Sequence, residues 1–165
     1  MEAMRAFNYF TIHYVMLKDQ PQGEIRVSNK GQVSIHYRLH IRDQESLREG
    51  MKLSAKVFFA GGAKRVHMNH VDLAPLENES EIGRINRLKM EANRVLLYSA
   101  HQLSSCRMGP DPKTSVTDSF GKIHGMENLY ISDGSLFPTS LGHNPQLTIM
   151  ALATRNAEFL LAHHK

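Results

Sequence analysis

The hydrophobic period changes along the chain, and each change predicts an element. Residues 7–17 (FNYFTIHYVML) are dense in aromatic and β-branched side chains and read as a strand. Pro21 and Gly23 break it. EIRVS and VSIHYRL then flank Asn29-Lys30-Gly31, a turn tolerant of positive φ, and predict a hairpin. Residues 7–38 therefore read as an antiparallel meander. From Asp43 the spacing turns helical. With Asp43 as N-cap, Leu47, Met51, Ser54, Ala55 and Phe58 share one face until Gly61-Gly62 ends the helix. Residues 63–73 can return to the sheet, residues 79–95 read as a polar surface helix, and RVLLYSA (94–100) is strand-like.

Composition shifts near residue 109. PDPKTS (110–115) forbids regular structure, and NLYI (128–131) reads as a short strand ending in Ser132-Asp133-Gly134-Ser135. Asn144-Pro145 opens a terminal helix. Asn is a good cap, and Pro loses nothing at the first helical position. Leu147, Met150, Ala151, Ala157, Phe159 and Leu160 supply an apolar stripe for core packing. The fold class is α+β: an antiparallel sheet with flanking helices over residues 1–108, then short strands and a terminal helix over 109–165.

The whole chain has 165 residues, 41% of them hydrophobic and 22% charged, which suits one sizeable folded unit. No apolar run is long enough for a transmembrane segment. The start of the chain lacks the order of a secretory signal, and the single cysteine, Cys106, excludes an internal disulfide; both favour a cytoplasmic setting. The net charge of +4 is mild and dispersed, so nucleic acid is not an expected partner. His67 and His70 have metal-like spacing but no further ligand follows, so no metal site is expected.

Three tail segments, HQLSSCRMG (101–109), VTDSFGKIHGMENLYISDGSLFPT (116–139) and HNPQLTIMALATRNAEFLL (143–161), resemble in order and spacing the C-terminal signature of the glucose–methanol–choline (GMC) flavoprotein oxidoreductases. Residues 22–66 resemble, less specifically, that family's substrate-side hairpin and helix. The resemblance implies oxidation of CH–OH groups of small-molecule alcohols, with FAD as cofactor. GHNPQ and residues 22–66 lean towards bacterial members acting on sterols, long-chain or sugar alcohols.

The resemblance also assigns roles. His101 stands where the family places a histidine over the flavin. Hydride leaves a carbinol carbon readily only as the hydroxyl proton is removed, so a group titrating near neutrality suits that oxygen. Asn144 matches the Asn or His paired with it; its amide can donate to the substrate oxygen while the imidazole accepts the proton. His143 is a neighbour rather than a member of the pair. Asp133, Gly134 and Ser135 match the segment near the ribityl and pyrophosphate groups of FAD, where a small residue permits close approach. Pro145 and Thr148 begin a helix whose positive end would face the electron-rich edge of reduced flavin. Ser104-Ser105 replace the Gly-Thr of many members, a change between small residues. Cys106 reads as a small packing residue.

The family grips the ADP part of FAD through G-x-G-x-x-G at a strand–helix turn. No such fingerprint occurs here, so the dinucleotide-binding half is absent and becomes an expected partner. The isolated chain is expected to be inactive without it. The competing reading is a non-catalytic α+β binding or assembly module derived from such an enzyme and lacking flavin.

Overall fold

The fold is a computed structural model that describes residues 7–20 and 23–163. It is α+β and divides into two compact units, described separately below. Residues up to 17 with 44–96 form one, and residues 18–43 with 97 onwards form the other.

Helix α1, Ile41–Ala60, runs through the first unit from residue 44. The expected face is the buried one, with Leu47, Met51, Ser54 and Ala55 enclosed. Burial of the leucine and the methionine contributes roughly 1.5–3 kcal/mol each. Its end follows from two glycines. Gly62 (φ +87) donates to Phe59 and Ala63 donates to Phe58, both at 2.9 Å, which closes a Schellman motif. At the other end the helix begins two residues before Asp43. That residue is buried and its Oδ2 accepts the Gln20 N–H at 3.0 Å, so it ties down the preceding segment instead of capping the helix.

Three expectations in this unit need correction. Residues 79–95 do not form an α-helix: Glu79–Arg87 is a 3-10 helix. Its buried positions Ile82 and Ile85, with the C-cap Leu88, recur every three residues, and a three-residue turn stacks them on one side. Asn78 caps it, Oδ1 accepting from the Ser80 N–H at 3.1 Å. Residues 63–73 and 94–100 give isolated bridges, Val66 with Leu76 and His70 with Val95, rather than strands.

Residues 7–17 depart furthest from expectation. Phe7–Tyr9 is a 3-10 turn, and residues 10–17 belong to no ladder among the described residues. Its inner side chains dock on α1. His13 Nδ1 and Ser54 Oγ are hydrogen-bonded at 2.7 Å, and Val15 lies so close to Gly50 that a Cβ there would fall 2.4 Å from Val15 Cγ1. Composition can favour extended backbone, but a strand also requires a neighbour to pair with.

In the second unit, β1 (Glu24–Val27) and β2 (Val33–His36) form the expected antiparallel hairpin. Ile25 pairs with Ile35 and Val27 with Val33, which places four apolar side chains on one exposed face. Tyr37, just past β2, donates to Asp19 Oδ2 at 2.8 Å; burial, then this carboxylate, raise its phenol above the ordinary range. Residues 97–145 are held by scattered bridges, with Thr117, Leu136 and Phe137 enclosed. The expected strand NLYI reduces to the bridge between Lys122 and Tyr130. Helix α2, Gln146–His163, closes the chain. Its apolar stripe is not enclosed as expected, for Leu147 is 80% and Met150 58% exposed, and Asn156 is its buried residue.

Candidate active site

Three stretches distant in sequence cross at Gly134, inside the second unit. Asp133 starts the crossing. Its Oδ1 accepts from the Ser135 N–H at 2.8 Å and the Ser135 hydroxyl at 2.5 Å, capping the short 3-10 turn Gly134–Leu136. Residues 104–108 run alongside this turn through three main-chain bonds. Ser104 donates to Gly134 at 3.3 Å, Cys106 to Ser135 at 3.0 Å, and Met108 to Leu136 at 2.9 Å.

The first turn of α2 completes the crossing. A Cβ on Gly134 would lie 2.8 Å from Leu103 Cδ2 and 3.3 Å from both Gln102 O and Ile149 Cδ1. Packing between the 101–109 segment and α2 therefore favours a residue without a side chain here. That preference stands apart from any need for a ligand to approach.

His101 directly precedes this crossing. Ser99 Oγ donates to its carbonyl at 3.0 Å, and Gln102 Nε2 donates back to the Ser99 carbonyl at 2.9 Å, which folds residues 99–102 on themselves. The imidazole is exposed and has no hydrogen-bond partner among the described residues.

Asn144 lies on the α2 side. The first helical bond runs from the Ile149 N–H to the Pro145 carbonyl at 2.9 Å, so the helix begins one residue later than expected and Pro145 occupies the cap position. The Asn144 amide is exposed and makes no cap bond among the described residues. The N–H groups of Gln146, Leu147 and Thr148 likewise have no partner there, leaving three donors open at the positive end of the helix. His143 differs, because its Nδ1–H donates to Leu141 O at 3.1 Å.

Ser104 is the residue that reading by side-chain size misses. Its φ is +67, in the left-handed region that favours glycine, and its Oγ is shut from solvent without a partner among the described residues. Size is thus the wrong measure for replacing glycine at this position; backbone conformation is the relevant one. Elsewhere, both ring nitrogens of His70 are engaged, Nε2–H donating to Lys89 O at 3.0 Å and Nδ1 accepting from the Asp72 N–H at 3.1 Å. Among the described residues no helix is long and apolar enough to cross a membrane.

Residues 19–153 match the family model described as GMC oxidoreductase. An uncharacterised GMC-type oxidoreductase of Sinorhizobium fredii is 30% identical over 163 residues, covering 98% of this chain and 32% of that protein. A long-chain-alcohol oxidase of Arabidopsis thaliana is 32% identical over 150 residues, covering 85% of this chain and 20% of the plant protein. The crystal structure of pyridoxine 4-oxidase from Mesorbium loti shares the fold with a TM-score of 0.66 at 20% identity, over 90% of this chain and 29% of that one. The chain spans about a third or less of the length of these proteins. It belongs to the GMC oxidoreductases and carries their C-terminal domain.

Proposed function

We propose that this chain is the catalytic-side portion of an FAD-dependent oxidoreductase that removes hydride from the carbinol carbon of an alcohol. The observation that carries the reading is the crossing at Gly134. It gathers the segment bearing His101, the Asp133–Ser135 turn and the start of α2 within one compact unit. Among the described residues its polar groups are uncommitted: the His101 imidazole, the Asn144 amide and three helical N–H groups have no partner there.

Each group then has a task. His101 accepts the hydroxyl proton as the carbinol C–H bond weakens, so that charge does not accumulate on a cation. The Asn144 amide donates to the same oxygen and holds it in line with His101. FAD, when bound, supplies the hydride acceptor. Pro145 and Thr148 belong to the helix start whose open donors offer stabilisation to negative charge. Asp133, Gly134 and Ser135 hold the turn beside them. The open donors and exposed polar groups fit such a cofactor.

The other requirement is a complementary portion. This chain offers no glycine fingerprint for the ADP half of FAD, and its relatives are three or more times longer than the matched region. The test is to purify the chain alone, and then with a tagged polypeptide made from the part of the Sinorhizobium fredii protein outside the match. The isolated chain is expected to be colourless and the pair to show flavin absorbance. Stoichiometric flavin on the isolated chain would remove the need for a complementary portion. A flavin-bearing pair that oxidises no alcohol would favour the non-catalytic reading.

A further inference from the structure

His101 sits on a stretch with little main-chain support. Apart from Tyr98, residues 97–103 make no main-chain to main-chain hydrogen bond among the described residues. Two side-chain bonds stand in their place. Ser99 Oγ donates forward to the His101 carbonyl at 3.0 Å, and Gln102 Nε2 donates back to the Ser99 carbonyl at 2.9 Å. The histidine is thus bracketed by its own neighbours. Gln102 is also where the stretch meets the crossing, its carbonyl lying 3.3 Å from the place of a Cβ on Gly134. The bracket therefore carries the anchorage at residue 102 back to residue 101. The imidazole itself has no partner among the described residues, so its placement depends on the main chain that bears it.

We propose that Ser99 and Gln102 are positioning residues, which hold His101 where it takes the proton of the alcohol. The inference rests on the reading of His101 as the proton acceptor and deepens it. An acid–base group acts only within hydrogen-bond reach of its proton. A displacement of about 1 Å can slow such a step by about a hundredfold. Both side chains are exposed, so core packing gives neither a reason to be there. A single exposed hydrogen bond also contributes little against water. The two interlock around one residue, so the loss of either loosens both.

Two measurements test this. On the chain alone, nitrogen relaxation should give the His101 amide an order parameter of roughly 0.85, falling below about 0.6 in Gln102→Ala and in Ser99→Ala. In the flavin-bearing pair, the same variants should slow flavin reduction by about tenfold to a hundredfold, with the half-saturating alcohol concentration little changed. Gln102→Glu has the same shape but cannot donate, and should match alanine. Ser99→Thr keeps the hydroxyl and should restore the parent in both measurements. The double alanine variant should lose no more than either single one. In a His101→Ala background neither substitution should slow the reaction further. An unchanged order parameter overturns the bracket and leaves the oxidoreductase reading standing. So does a loosened His101 that reduces flavin at the parent rate. A loss that persists in the His101→Ala background also overturns it, because the residues would then act on substrate or fold and not through His101. Parent-rate flavin reduction by His101→Ala alone overturns the role of His101 and this proposal with it. A pair that takes up no flavin overturns the reading beneath the proposal, while the order parameters still decide the bracket.

Discussion

Helices α1 and α2 are of similar length, 20 and 18 residues, and differ in how far the chain encloses them. On α1 the predicted face is buried, its C-terminus is closed by a Schellman motif, and His13 and Val15 dock on its surface. On α2 the apolar stripe is open at Leu147 and Met150, and the N-terminal N–H groups are unpartnered among the described residues. A helix that is satisfied within its own chain serves as scaffold. One left open on its apolar side and at its positive end is shaped by what it is going to meet. The contrast separates the parts that fold this chain from those that equip it for chemistry.

The largest effect expected lies on the chemical side. In the flavin-bearing pair, His101→Ala should slow flavin reduction by a factor on the order of 10²–10⁴, the worth of a positioned acid–base group. Stopped-flow absorbance under alcohol excess measures it. Lys56→Ala, at an exposed position of α1, should leave the rate unchanged. Equal losses in both variants would erase the division between the helices.

Stability should show the reverse pattern. Met51→Ala opens a cavity under α1 and should cost about 2–5 kcal/mol in denaturant unfolding of the chain. Leu147→Ala on α2 removes an 80% exposed side chain and should stay within about 0.5 kcal/mol. In the pair, however, Leu147→Ala should weaken association, because its surface is then covered. A large cost in the isolated chain would mean that α2 is packed already.

These contrasts also mark how far sequence reading reached. The hairpin and the span of α1 were legible, because their determinants (alternation, a turn with glycine, an apolar face and a glycine stop) are local. The tail motifs were legible as a family resemblance. Residues 7–17 misled because β-propensity describes a residue's preference, whereas a strand also needs a partner, and none pairs with them among the described residues. Residues 79–95 misled because a spacing of three suits a 3-10 turn, and their polarity hid the buried Ile82 and Ile85. Asn144-Pro145 correctly located the start of α2 but placed the cap one residue early. Backbone φ at Ser104 leaves no mark in side-chain volume.

Ser104 gives a smaller test at the crossing itself. A left-handed serine is disfavoured by roughly 1–2 kcal/mol, and its buried hydroxyl has no partner among the described residues. Ser104→Gly should therefore raise the unfolding free energy of the chain by about 1–2 kcal/mol, whereas Ser104→Ala keeps the strained backbone and should gain less. If alanine stabilises as much as glycine, the unpartnered hydroxyl outweighs the backbone.

The smallest effect is expected at Asn144. A capping asparagine replaced by alanine ordinarily costs about 1 kcal/mol. Here the Pro145 carbonyl takes the first helical bond, and the Asn144 amide makes no cap bond among the described residues. Asn144→Ala should thus shift the stability of the isolated chain by less than about 0.5 kcal/mol. The same substitution in the flavin-bearing pair should slow flavin reduction, because the alcohol oxygen loses a donor opposite His101. Asn144→Asp sharpens the point: it cannot donate, and it adds negative charge beside a flavin about to receive hydride, so it should slow reduction further at unchanged stability. His143→Ala should do less, its imidazole being held by Leu141 O. A variant at Asn144 that destabilises the chain while reducing flavin at the parent rate would return this residue to the role of a helix cap and leave His101 without its proposed partner.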